Sequence, residues 1–296
     1  VLSITHHTMM FRLLAIILAA SLLSACASRF PSPELDVALD SQIIAAQIFQ
    51  RTFNVHGGAS IEQLNDVNLS ISGEWKTLIR RIQPLVTDYK YRIDSQERLF
   101  MNNGGYIALY NGPGGSKKVV RTTDSLAVYY NGEQSTDPEV LSSTALTADA
   151  FRLFLLGPLA LQAWQDQFTR LTDITFQGEQ HYRLHLNLKP GFGYSEQDQV
   201  VLWVNAESGR TKMIQITLEG HSTTKGAHVE VEYLGYTQKG DYLFPSDFFE
   251  RVNAPISINA HAWHLTGLDI NRGLALEEYQ GANEEIISSK PASPLR

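Results

Sequence analysis

The chain has 296 residues, 43% of them hydrophobic, with 24 Lys and Arg against 31 Asp and Glu, a net charge of −7 with histidines neutral. That is apolar mass enough for a folded core, while an acidic chain offers little to hold a nucleic-acid backbone. The single cysteine, Cys26, excludes an intramolecular disulfide and a thiolate-built zinc site.

At the N-terminus Phe11-Arg12 precede Leu13 to Leu23, which are apolar except for Ser21, and then come the small residues Ser24 and Ala25. This is a basic n-region, an h-region and a small-residue cleavage site. As a helix the apolar run would be about 16 Å long, too short for a hydrocarbon core of about 30 Å. Leu23-Ser24-Ala25-Cys26 resembles the lipobox of bacterial lipoproteins. The resemblance implies that residues 1–25 are a signal peptide removed ahead of Cys26, and that Cys26 carries a covalent diacylglycerol and an N-acyl chain. Two or three chains anchor a protein stably where one does not. An ordinary secretory signal with a chance cysteine is the alternative reading. Residues 1–8 precede Met9 and Met10, and a signal peptide ordinarily begins just before its basic residue. Ala27 is not the aspartate that retains lipoproteins in the inner membrane. The family rule therefore implies the bacterial outer membrane, with the bulk of the chain in the periplasm.

Residues 26–35, with two prolines, read as a tether, and residues 36–275 as one domain. Within the domain, Ile43, Ile44, Ile48 and Phe49 fall at helical spacing and predict a helix over 36–53, stopped by the glycines after His56. From residue 67 the period becomes two. Val67, Leu69, Ile71 and Trp75 predict a strand, as do Tyr89, Tyr91 and Ile93, and Leu126, Val128 and Tyr130, with glycine-bearing breaks between them at hairpin spacing. A helical insertion is predicted over 149–168, broken by Gly157-Pro158. Strands resume at Tyr182/Leu184/Leu186/Leu188, Val200/Leu202/Val204, Ile214/Ile216/Leu218 and Val229/Val231/Tyr233, and a last one lies near residues 260–270. Ten or eleven strands and two helices are expected. Residues 276–296 lose periodicity and are expected to form a polar, frayed tail.

Nine histidines invite a search for a metal or a catalytic base. His181 and His185 would share a strand face about 13 Å apart, too far to bind one ion. His261 and His264 would point to opposite faces, and His228 shares the polar, solvated side of its strand with Glu230 and Glu232. The sequence contains no nucleophile elbow, zinc-protease helix motif, P-loop or dinucleotide fingerprint. It therefore argues no catalytic residues, no metal, and no cofactor beyond the lipid on Cys26.

The inward-facing sets would build one apolar sheet face. About ten strands at 4.8 Å spacing span about 45 Å, more than two helices of about 10 Å diameter can fill if the sheet curves. Space for a ligand is one outcome; side chains filling it is the other. A helix, a meander, an insertion with "LLGP" at 155–158, "GEW" at 73–75 and "VVLWVNAESGRTKMIQI" at 200–216 are similar to the LolA/LolB/LppX superfamily of bacterial envelope proteins. The resemblance implies a mainly β fold, a strongly curved antiparallel sheet forming an incomplete barrel covered by helices, with a cavity that holds acyl chains. Trp75, Tyr91, Tyr130, Phe154, Leu155, Trp164, Leu202 and Tyr233 are the residues expected to line it, and Leu85-Val86 is the nearest match to a protruding apolar loop. The expected function is binding of a lipid or an acylated lipoprotein in transport or sorting to the outer membrane. The expected partners are membrane lipid through Cys26, acyl chains and a periplasmic carrier, with no nucleic acid. A structural or interaction lipoprotein without ligand is the alternative, and a periplasmic hydrolase the third reading.

Overall fold

The computed structural model describes residues 29–36, 38, 41–254 and 256–295; the signal segment, the lipobox and Cys26 lie outside them. Among the described residues thirteen strands form one sheet. They are β1 (Asp66–Trp75), β2 (Asp94–Phe100), β3 (Tyr106–Gly112), β4 (Gly115–Arg121), β5 (Leu126–Tyr130), β6 (Glu133–Gln134), β7 (Thr169–Phe176), β8 (Glu179–Leu188), β9 (Asp198–Asn205), β10 (Thr211–Thr217), β11 (His228–Lys239), β12 (Tyr242–Val252) and β13 (Ile258–Ile270). Their order is β6-β5-β4-β3-β2-β1-β13-β12-β11-β10-β9-β8-β7. Two antiparallel meanders, β1–β6 and β7–β13, are thus joined by one long pairing, which runs from Val67 opposite Ile270 to Trp75 opposite His261. Several turns are two-residue hairpins. Asn131-Gly132 and Gln177-Gly178 have positive φ at both positions, the mirror-image turn that matches strand twist.

The sheet is rolled. β4 and β8 stand nine strand spacings apart in the order, about 43 Å if flat. Yet Arg121 at the end of β4 donates from Nη2 to the carbonyl of Gly193, in the loop after β8, at 3.4 Å. Inside the roll lies α5 (Pro138–Leu156), and the other α-helices among the described residues are α1 (Pro33–Asp36), α2 (Ser41–Val55), α3 (Thr77–Ile82), α4 (Pro84–Thr87) and α6 (Glu285–Ser288). α5 begins with Pro138 at its first position and with the Asp137 side chain accepting from the Glu139 amide at 2.9 Å. Its buried residues occupy every side, which is the pattern of a helix enclosed by protein. Leu146, Phe151, Leu153 and Phe154 share one core with Leu69, Ala108 and Val119 of the first meander and Leu184, Leu202, Ile214 and Val231 of the second.

The expected fold class, a curved antiparallel sheet covered by helices, is the one observed, with four corrections. α5 starts eleven residues before the predicted position 149, because Ser143 and Thr144 are buried by packing and Thr144 receives the Lys117 ammonium at 3.0 Å. No apolar period announces that stretch. The break at Gly157-Pro158 stands where expected, with Gly157 at φ +58 leading into a 3₁₀ segment, Gly157–Trp164. The alternation Tyr89/Tyr91/Ile93 is not a strand. Arg92 points inward over the rings of Trp75, Tyr110 and Phe151 at 5.1, 5.0 and 4.6 Å, and the chain runs as α3, α4 and a turn with Asp88 in the left-handed region.

The two terminal segments also differ from expectation. Phe30, in the tether, packs on the outer face beside Leu171, Val201, Trp203 and Met213, and Asp36 pairs with Arg183. At the other end residues 276–295 are not frayed. Leu276, Tyr279 and Ile287 cover Phe100, Ile107, Leu109 and Val120 on the outer face of β2–β4, and Lys118 donates to the Asn283 carbonyl at 2.6 Å. That face is apolar, so a few anchors suffice to hold a polar segment. Ile287→Ala is therefore expected to lower unfolding stability by about 2–5 kcal/mol, read as a shifted urea midpoint. An unchanged midpoint would show the segment to be loose.

Candidate functional site

Among the described residues the core side chains fill the interior of the roll. Its voids measure about 30 Å³, between Trp75, Phe154, Ile216 and Glu250, and about 10 Å³, between Arg92, Glu97, Tyr110 and His261. Each is water-sized, far short of an acyl chain. The space for a ligand lies instead at the mouth, as a cleft of about 490 Å³ in the size range of small-molecule sites. The β4–β5 hairpin forms one wall, the end of α5 and the 3₁₀ segment the floor, and the loop after β8 the other wall. Leu153, Leu161, Trp164, Leu188 and Phe192 make the lining mainly apolar, and Tyr194, 61% exposed, stands at the rim.

A clasp of charge and backbone holds the two walls. Asp149 on α5 takes Arg121 Nε on one carboxylate oxygen at 3.0 Å, and Arg121 Nη2 at 2.9 Å and the Gly193 amide at 2.8 Å on the other. Asp149 raises the Arg121 pKa against the opposing effect of burial. Three residues on from Asp149, Arg152 also faces the cleft. Its Nε is buried and has no hydrogen-bond partner among the described residues.

The residues expected to line a cavity do not converge. Trp164 lines the mouth cleft. Trp75 and Phe154 border the 30 Å³ void, while Leu155 and Leu202 are core side chains, 2% and 0% exposed. Tyr233 donates its hydroxyl to the Phe154 carbonyl at 2.7 Å and borders a separate polar groove of about 580 Å³ at the β9–β10 turn. Tyr91 and Tyr130 form an edge-on pair at 4.7 Å, and Tyr130 donates to Asp88, which also receives Lys117 at 2.8 Å. That pair fastens the α3–α4 segment to the sheet. Arg121, Asp149, Arg152, Phe192 and Tyr194 were not legible as site residues. The signals were an arginine inside the apolar run "FRLFLL" and the aromatic-glycine loop "PGFGY". Leu85 in α4 is 40% exposed, and Leu78, Ile82 and Ile93 nearby are 51%, 48% and 42% exposed, so this apolar patch is wider than Leu85-Val86.

Several solved structures are similar to this chain at low identity. A LolA superfamily protein from Nitrosomonas europaea is similar over 80% of this chain and 97% of that one, at 12% identity and a TM-score of 0.48. A domain described as an outer membrane lipoprotein-sorting protein, from Vibrio parahaemolyticus, is similar over 81% and 96%, at 10% identity and a TM-score of 0.38. The lipoprotein LppX of Mycobacterium tuberculosis is similar over 61% and 91%, at 9% identity and a TM-score of 0.26. No protein-family model and no curated protein sequence matches the chain.

Among the described residues no group of His, Cys, Asp and Glu is placed to hold a metal ion. His228, expected on a solvated face, is buried beneath Phe30 at 5.5 Å. His56 accepts from the Thr211 amide on Nε2 at 3.2 Å and donates from Nδ1 to the Leu243 carbonyl at 3.0 Å, and burial lowers its pKa to about 4. It is a neutral cross-brace between α2 and the sheet. His261 stacks on Trp75 at 3.8 Å, and burial together with Arg92 holds its pKa well below the usual range.

Trp75, His261 and Glu250 form a cross-strand row on β1, β13 and β12. Glu250 has one carboxylate oxygen buried without a hydrogen bond, and burial raises its pKa to about 7 against the opposing pull of Arg92. Between pH 4.5 and 7 the native state therefore binds more protons here than the unfolded chain. The contribution is full below about 4.5 and is lost as the pH rises through 7, on the order of 3 kcal/mol. His56 works in the opposite direction, contributing above about 6.5 and losing its contribution as the pH falls through 4. Comparing wild type with Glu250→Gln cancels the His56 effect. Urea midpoints from pH 4.5 to 7.5 should show wild type losing stability relative to Glu250→Gln as the pH rises, and parallel curves would refute the buried-acid assignment.

Proposed function

We propose that the chain is a lipid-anchored protein of the bacterial envelope that binds a lipid, or the acyl chains of a lipoprotein, in the cleft at the mouth of the rolled sheet. The cleft carries this reading: about 490 Å³, mainly apolar, and floored by the 3₁₀ segment that follows the Gly157-Pro158 break. Movement of that segment at Gly157 would shift Leu161 and Trp164 and lengthen the cleft toward the core. Each buried methylene contributes about 0.8 kcal/mol, so a ten-carbon stretch supplies about 8 kcal/mol before ordering costs. Binding of this kind needs apolar burial and no covalent chemistry. Lipobox-like Leu23-Ser24-Ala25-Cys26 supports the anchor, and Ala27 in place of a retaining aspartate supports the outer-membrane location.

A second reading, an interaction lipoprotein with no lipid ligand, is favoured by the filled interior and by exposed Leu78, Ile82 and Leu85 on the α3–α4 segment beside Arg80 and Arg81.

A fluorescent fatty-acid probe separates the two readings. It should bind the purified full chain, and Trp164→Gln, which alters a half-buried wall residue, should weaken binding about ten-fold, about 1.4 kcal/mol, with little change in melting temperature. Leu202→Gln would test folding instead, because that side chain is fully enclosed. A folded chain that ignores the probe would leave the interaction reading. For the anchor, Cys26→Ser should abolish acylation and membrane retention; an unchanged mass and normal retention would refute it.

A further inference from the structure

Arg152 is the one cationic group of the cleft without an ion-pair partner among the described residues. It sits in the apolar run Phe151 to Leu156 on a helix enclosed by the sheet, with its Nε buried and no hydrogen bond or ion pair to any described residue. The nearest acid on its own helix, Asp149, is already saturated by Arg121 and the Gly193 amide through three bonds of 2.8–3.0 Å. The other acid on the cleft, Asp124, is exposed in the β4–β5 hairpin and forms no ion pair with Arg152. The side chain as a whole is half-buried, but a guanidinium with one nitrogen sealed from water and unpaired is costly, and its planar fork matches a carboxylate or a phosphate.

Resting on the cleft reading above, the geometry points to Arg152 as the head-group site of an amphiphile with one anionic head, a carboxylate or a phosphate. The chain of that amphiphile lies along Leu153, Leu161, Trp164 and Phe192. A neutral lipid fills the same apolar wall but leaves the guanidinium unpaired. Burial also pulls the Arg152 pKa below its ordinary value, with Asp149 opposing, and the group stays cationic at neutral pH.

The test compares three probes of one chain length on the purified full chain: palmitate, palmitoyl lysophosphatidic acid and monopalmitoylglycerol. The two anions should bind at least ten-fold tighter than the neutral glyceride. Arg152→Gln should erase that preference while keeping glyceride binding, and Arg152→Lys should restore part of it. Whichever anion binds tighter identifies the head as a fatty-acid or a phospholipid one. Unliganded Arg152→Gln should melt at or above the wild-type temperature, since it removes an unpaired, partly buried charge; a clear drop would make Arg152 structural and overturn the assignment. Glyceride and anions bound equally by wild type, or a preference that survives Arg152→Gln, would overturn the head-group site and leave the cleft standing. Failure of all three probes would overturn both.

Discussion

An apolar face that runs across most of the thirteen strands can leave water only if the sheet closes on itself, and α5 is the body it closes around. Flat, such a sheet would extend about 58 Å, while a helix with its side chains is 10–12 Å across. Rolling lets one helix serve both meanders. Phe151 and Phe154 pack against Trp263 of β13, with centroids at 5.2 and 6.4 Å, while β4 of one meander meets the loop after β8 of the other at Arg121 and Gly193. The β1–β13 pairing is the seam that makes this possible, since it joins the first strand of one meander to the last of the other.

The same constraint decides where a site can be. A helix that fills the roll leaves no room for an acyl chain in the middle, so accessible apolar surface collects at the mouth, where the walls are loops and hairpins instead of paired strands. Asp149 and Arg152 lie on the part of α5 that reaches this mouth. One clasps the walls and the other has no partner among the described residues, so the site combines a fixed frame with an unpaired charge. A frame of this kind costs stability locally and is tolerated because the core around α5 is large.

Charge also enters the deep interior, and there Arg92 and Glu97 find partners, although Arg92 Nε and one Glu250 oxygen have none among the described residues. Arg92 lies among three aromatic rings and donates to the Val86 carbonyl at 3.1 Å, which ties the α3–α4 segment to the core. Glu97 accepts from Ser95 at 2.8 Å and from the Tyr106 hydroxyl at 2.7 Å, and Tyr106 in turn meets Tyr110 at 2.6 Å. Such a network favours one arrangement of β1–β3 over slipped registers, because a one-residue slip would strand every member of it.

Sequence alone determined what depends on local periodicity. The alternation at Val67–Trp75 and at Tyr182–Leu188 gave strands, the glycine at 57 ended α2, and Gly157-Pro158 ended α5, because backbone geometry at those positions follows from residue type. A curved sheet under helices was legible from the same pattern. Tertiary structure decided the rest. Arg92 broke an apparent strand by turning inward to rings distant in sequence, and the helix reached back before residue 149 with Ser143 and Thr144 buried by packing. Residues 276–295 were held by an apolar outer face that no local pattern reveals. The candidate cleft belongs to this second class: Arg121, Arg152 and Phe192 come from three separate segments, and only the rolling of the sheet brings β4 to the loop after β8. A period shows which face of an element is apolar, but not which distant element will cover it or which charge will be left without a partner.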